Sequence, residues 1–214
     1  MKRILIICIT FLVAFFTSPA NLKAQTDLSE GWEINTMKNQ PPKRIMDSIG
    51  VKPGMVIGEV GAGRGRFTVY LSREVGPQGI IYANDIVADA LEQINKKCKS
   101  DNITNIKTVL GVEDDPLLPE KNLDMVVVFD CLFEFKKPAE WMKNTMKYLK
   151  PDGKLIIVDP DSSKLKHSQF LSRKKVEDFA RKAGYSVVKV KDSFLKNLMI
   201  IALKPKQFNK GEKP

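Results

Sequence analysis

Histidine and cysteine are scarce in this chain: 214 residues carry one His and three Cys. A zinc centre needs three or four ligands at short, recognisable spacings, and no Cys/His cluster of that kind occurs, so zinc chemistry is not expected. Cys8 sits too early to be a lipid-attachment site at the end of its apolar run. Cys98 falls on a predicted helix face and Cys131 just after a predicted strand, and both read as buried thiols rather than a disulfide pair. Aromatic residues make up only 8%. None is interleaved with the basic cluster Lys164, Lys166, Arg173, Lys174 and Lys175, so the stacking platform of a single-strand nucleic-acid binder is missing. Long apolar runs are also absent, with one exception at the N-terminus.

That exception is Ile4–Phe16, 13 residues preceded by Met1-Lys2-Arg3 and followed by a polar stretch ending in Leu22-Lys23-Ala24-Gln25. A basic start, a short apolar run and a small residue are the marks of a secretory signal peptide. A spanning helix needs about 20 apolar residues, so cleavage after Ala24 is the favoured reading, with an uncleaved anchor as the alternative. Either outcome places the rest of the chain across a membrane, in the periplasm or cell envelope. With 43% apolar and 28% charged residues, that remainder suits one globular domain. The net charge of +10 is partly carried by the signal and by a tail holding four lysines from Lys204 onward. A moderately basic surface is left, compatible with peripheral contact with an anionic membrane.

The remaining pattern is one of alternating strands and helices. Pro41-Pro42 opens a helix to Ile49, stopped by Gly50. Strands are expected at Met55–Val60, in "GIIYAND", in "NIKTVLG", in "LDMVVVFD" and in "GKLIIVDP". Phe67, Tyr70, Leu71 and Val75 mark one helix, and Val87, Leu91, Ile94 and Cys98 the next. A loop follows the third strand. Trp141, Met142, Met146 and Leu149 mark a helix after the fourth. Ser172 caps a helix carrying Val176, Phe179, Ala180 and Ala183, closed by Gly184. "YSVVKV" and "LMIIAL" are two last strands joined by a short turn around Lys191–Ser193, hence antiparallel. Continuously apolar strands alternating with helices predict a mostly parallel sheet covered on both faces, with ligands beyond the carboxyl ends of its strands.

"IGEVGAGRGR", residues 57–66, lies at such an end. A dinucleotide fingerprint needs GxGxxG, but Arg66 stands where the third glycine belongs, which disfavours a nicotinamide-dependent oxidoreductase. A P-loop fails because no Gly-Lys-Ser/Thr follows. Gly61, Gly63 and Gly65 instead permit close approach of some other ligand. Glu59 precedes the loop, and Asp85 ends the second strand, 20 residues beyond Gly65, where a carboxylate can accept from both ribose hydroxyls. Glu113, Asp114 and Asp115 follow the third strand, where a carboxylate can accept from an exocyclic amine. Acidic groups at three successive strand ends suit a cationic, ribose-bearing ligand better than a pyrophosphate.

Together, "VKPGMVIGEVGAGRGRFT", "IIYANDI", "VLGVEDDPLLPEKNLDMVVV" and "YLKPDGKLIIVDP" resemble the successive motifs of class I S-adenosylmethionine-dependent methyltransferases, over roughly residues 41–205. The resemblance implies a Rossmann-like, doubly wound sheet of seven strands, mostly parallel with an antiparallel last strand, within a domain at residues 41–206. Residues 1–24 would be the signal, 25–40 an N-terminal segment and 207–214 a basic tail. It implies S-adenosyl-L-methionine as cofactor. Gly61, Ala62, Gly63 and Gly65 would line its methionine part, with Glu59 by the amino group. Asp85 and Ile86 would meet the ribose side, Glu113 or Asp114 the adenine, and Asp130 would close the site.

The acceptor is not legible. The weak candidates for a general base are Asp130 and Glu134, in the segment after the fourth strand, where related proteins often carry a histidine at the position of Phe133. His167 among lysines reads as surface, Ser172-x-x-Lys175 as a helix cap, and Cys131 lacks a paired histidine. A small-molecule or lipid acceptor is favoured. Nucleic acid is not, because nothing like Asn-Pro-Pro-Tyr follows the fourth strand. A non-catalytic S-adenosylmethionine-binding module on the same fold is the alternative.

Overall fold

The computed structural model describes residues 37–166 and 169–206. The signal-peptide reading, His167 and the basic tail lie outside these described residues. The chain divides into two units, Met1–Lys38 and Asn39–Pro214, and the fold below is that of the second.

Seven strands form one sheet: β1 (Val56–Val60), β2 (Ile80–Asp85), β3 (Ile106–Leu110), β4 (Leu123–Phe129), β5 (Leu149–Pro160), β6 (Tyr185–Phe194) and β7 (Leu198–Pro205). Their spatial order is β3-β2-β1-β4-β5-β7-β6. β3, β2, β1, β4 and β5 run parallel, and β7 enters antiparallel between β5 and β6. The doubly wound reading with an antiparallel last strand is therefore met. Among the described residues, helices α1 (Pro42–Ile49), α2 (Thr68–Val75), α3 (Ala88–Ser100), α4 (Pro138–Thr145) and α5 (Arg173–Lys182) accompany the sheet.

β1, β2 and β4 are largely apolar because both sheet faces are covered along them. Tyr82 and Ala83 are adjacent in β2 yet belong to different clusters. Tyr82 belongs to the cluster of Val126, Val128, Trp141, Met142, Val176 and Ala180, and Ala83 to that of Ala62, Leu91 and Ile94. Gly50 ends α1 in the left-handed region at φ 82°, and Ser172 Oγ accepts the Lys175 N–H at the start of α5, both as expected.

Three boundaries differ from the sequence reading. α4 stops at Thr145, and Met146–Tyr148 tightens into a 3₁₀ turn, so Leu149 begins β5 rather than ending a helix. The β6–β7 turn lies at Leu195–Asn197, beyond the expected Lys191–Ser193, because an irregularity between Lys191 and Phe194 carries β6 further. That turn uses Leu195 and Lys196 at positive φ, with no glycine to announce it. Cys98 and Cys131 are unpaired but only partly buried.

Candidate cofactor and active site

β1, β2 and β3 finish side by side, and their following loops are hydrogen-bonded together. Ala62 N–H donates to the Asn84 carbonyl (2.9 Å), Gly63 N–H to Asp85 Oδ2 (2.8 Å), and Gly111 N–H to the Asp85 carbonyl (3.0 Å). Asp85 Oδ1 also accepts the Val87 N–H at 3.0 Å. Asp85 thus both fixes the glycine loop and remains partly open to solvent. The loop after β4 closes the fourth side. Cys131 Sγ lies 3.6 Å from the Val60 carbonyl, and a Cβ on Gly61 would overlap that sulfur. With φ at +74°, Gly61 is fixed as glycine by both conformation and space.

Glu59, only 2% exposed, accepts a hydrogen bond from Thr68 Oγ1 at the start of α2. Burial pushes its carboxyl up to about 8, and Asp85 adds to the rise, against the Thr68 hydrogen bond and the Arg66 guanidinium. A carboxyl held protonated at neutral pH by burial is poised to ionise when a cation arrives. Ile86, Val87, Leu110, Val112 and Leu117, each about half exposed, form an apolar rim at the ends of β2 and β3. Such a rim suits the faces of a flat heterocycle.

The acidic turn after β3 separates into distinct parts. Val112 and Asp115 exchange backbone hydrogen bonds, which leaves Glu113 and Asp114 at the turn. Glu113, 61% exposed, pairs with Lys136, and the Asp114 carbonyl accepts from Asn144 Nδ2. Asp115 is turned to Lys147 and the Tyr148 hydroxyl, a structural role. Neither Glu113 nor Asp114 is drawn into the hydrogen-bonded cluster around Gly63 and Asp85.

Asp130 sits at φ 53° just beyond β4 with both oxygens engaged. Arg66 donates to Oδ2 at 2.6 Å and Gln40 Nε2 to Oδ1 at 3.1 Å. The pair is nearly buried. Burial raises the Asp130 carboxyl, opposed by Arg66 and Gln40. Arg66 also stacks on Phe67 at 4.6 Å, and Phe67 on Phe129 at 4.3 Å. The residue that breaks the dinucleotide pattern therefore ties the β1 loop to the end of β4. Asp130 is an anchor here, and Glu134 is exposed on a 3₁₀ turn, Leu132–Glu134.

Gln40, Thr68 and Asp159 belong to this region without being expected from the sequence, and Arg66 enters the sequence reading only as a departure from the dinucleotide pattern. Gln40 and Arg66 are long-range partners of Asp130, and Thr68 reaches Glu59 from the start of α2, none of them marked by a motif. Asp159 did carry a local signal: like Glu59 and Asp85, it is a carboxylate ending an apolar strand. It is fully buried, and burial together with Asp130 lifts it well above the ordinary range, against the pull of the Asp130, Cys131 and Leu132 N–H groups. Burial likewise raises the Cys131 thiol, so it is not a nucleophile at neutral pH.

This sheet order, with a glycine loop and carboxylates at the ends of its first two strands, defines the Rossmann-like methyltransferase class. A methyltransferase-domain family model matches residues 51–200, and the chain belongs to that family. The ubiquinone/menaquinone biosynthesis C-methyltransferase of Vibrio parahaemolyticus is 27% identical over 115 residues, 53% of this chain and 44% of that protein. The chain thus matches less than half the length of that curated relative. A S-adenosylmethionine-dependent methyltransferase from Aquifex aeolicus superposes with a TM-score of 0.70 at 23% identity, over 76% of this chain and 88% of that one. Aeropyrum pernix fibrillarin, solved with natively bound S-adenosyl-L-methionine, gives 0.56 at 18% identity, over 72% of this chain and 67% of that one.

The residues present fit that cofactor. The buried Glu59 suits its ammonium, the partly open Asp85 its ribose, the left-handed Gly61 and Gly63 a close backbone approach, and the apolar rim its adenine.

Proposed function

We propose that the chain methylates a small apolar or lipid acceptor held over the carboxyl ends of β4 and β5. The observation that carries this reading is an aromatic pair: Phe133, after β4, and Phe170, after β5, meet edge to face with centroids 4.8 Å apart. They offer the acceptor side of the site an apolar contact of defined geometry. When bound, the cofactor supplies an electrophilic methyl group on its sulfonium.

The protein's part is binding, orientation and exclusion of water. Ionised Glu59 accepts from the cofactor's ammonium, and Asp85 accepts from its ribose hydroxyls while keeping its grip on the Gly63 N–H. Phe133 and Phe170 orient the acceptor and keep water from the transfer line. Asp130, committed to Arg66 and Gln40, does not remove a proton. The acceptor must therefore bring its own nucleophile, such as a phenolate, whose bond to the methyl carbon forms as the sulfonium C–S bond breaks to a neutral thioether. A ring carbon or an amine would then release its surplus proton to solvent. The relative named as a ubiquinone/menaquinone biosynthesis C-methyltransferase supports an acceptor of this kind.

Incubating the protein with methyl-labelled S-adenosylmethionine and a whole-cell extract should put label into the solvent-extractable fraction. Changing Phe133 to Ala should reduce it about tenfold or more, the loss of one well-packed aromatic contact. Label confined to the protein or nucleic-acid pellet would refute this acceptor class.

A further inference from the structure

Away from the cofactor cleft, a groove of about 450 Å³ runs between the end of α1 and the sheet face of β5, β7 and β6. Its floor is apolar, formed by Ile49, Ile156, Ile200 and Ala202. Lys154, Lys189, Lys191 and Lys204 line its walls. Across the strands Lys189 stands beside Ala202 and Ala202 beside Ile156, while Lys191 stands beside Ile200. A register shift between Val187 and Lys189 sets Val188, Lys189 and Lys191 all toward the groove. Bulges commonly re-aim side chains in this way. Val188 is exposed at the lip.

The four groove lysines stand apart from the ion pairs of the described residues. Among the described residues, none of the four makes an ion pair. The one carboxylate on the groove, Asp47, is engaged by Lys43. Lys191 lies over the Phe194 ring at 5.6 Å, and Arg44 of α1 approaches the same ring at 5.7 Å, adding a fifth cation. By contrast, in the cluster that stands out in the sequence, Lys164 pairs with Asp192, Lys174 with Asp178 and Arg173 with Glu177. Like charges gathered on one sheet face repel. Half-buried lysines lay their stems along apolar surface and lift their ammonium groups to one level.

We infer that this groove face docks on the headgroup surface of an anionic lipid bilayer. The ammonium groups meet lipid phosphates, Val188 reaches the interface, and the cofactor cleft at the strand ends is left clear. The inference rests on charge complementarity and does not depend on the acceptor proposed above. It also gives the observed lysines a role that the cofactor cleft does not.

The test is sedimentation of the full chain with phosphatidylcholine vesicles and with vesicles containing phosphatidylglycerol. The measured quantity is the gain in affinity from the anionic lipid, so that binding common to both vesicle types cancels. A lysine near such a surface contributes about fivefold. Replacing Lys154, Lys189, Lys191 and Lys204 by Gln should cut the gain at least about tenfold. Replacing the ion-paired Lys96, Lys97, Lys137 and Lys174 by Gln should leave most of it. Equal loss in both variants would reduce the effect to net charge and overturn the inference. So would a groove variant that aggregates yet keeps the full gain, which would make the lysines edge protection for β6. Abolition of the gain by inorganic phosphate at headgroup concentration would point to a soluble anion and overturn it as well.

Discussion

Replacing Arg66 by Met is expected to lower folding stability by about 3–5 kcal/mol at neutral pH, the cost of leaving a buried charge without its partner. Arg66 is the cation that answers Asp130, and the two are nearly buried together. Gln40 alone, through one 3.1 Å hydrogen bond, cannot replace it. The loss should shrink as pH falls, because burial already raises the Asp130 carboxyl and a neutral Asp130 needs no counter-charge. Adding Asp130→Asn to the Arg66→Met chain should recover much of the stability. Urea unfolding of the single and double variants measures this coupling. A single variant within about 1 kcal/mol of the parent, the range of an exposed ion pair, would show that the pair is not what joins the β1 loop to β4.

Cofactor affinity should climb with pH. In the free protein Glu59 titrates at about 8 because it is buried, so at neutral pH it is mostly protonated. An arriving ammonium favours the carboxylate, and binding expels the proton. Affinity should therefore rise by up to about tenfold per pH unit below pH 8 and level off above it. Glu59→Gln should remove this dependence. Above pH 8 it should also weaken binding by about 10- to 150-fold, one charge-assisted hydrogen bond of about 1.5–3 kcal/mol.

Stability should move the other way. A carboxyl whose folded-state value lies above its ordinary 4.5 supports the fold fully below that value, and the support is lost as pH rises through about 8. The Glu59→Gln protein should then melt higher than the parent in mild alkali and near it in acid. Calorimetric titrations and thermal melts across pH check both signs. A flat affinity profile between about pH 6 and pH 8 would remove Glu59 from the cofactor site.

What the sequence discloses follows from how local each feature is. β1, β2, β4 and the second half of β5 are legible because strands buried on both faces must be largely apolar. The glycine loop is legible because positive φ selects glycine at Gly61, Gly63 and Gly65. Asp85 is legible because a carboxylate that ends an apolar strand has few structural reasons to be there. The β6–β7 turn is not, since Leu195 and Lys196 adopt positive φ under the constraint of the paired strands rather than by preference. Arg66 can be read only as a departure from a glycine pattern. Its partner is 64 residues away and comes close only once β4 lies beside β1. The groove lysines are similarly scattered over β5, β6 and β7 and become a cluster only in the folded sheet.

The central claim is that the loop after β1, held by Asp85, receives S-adenosylmethionine. Calorimetric titration of that cofactor into the protein and into its Asp85→Ala variant tests it most directly. Asp85 accepts the Gly63 N–H, and the proposed cofactor site sets the ribose against it. Saturable one-to-one binding to the parent is predicted, weakened in the variant by at least about 10- to 150-fold. No heat of binding in the parent, or equal affinity in the two proteins, would contradict it.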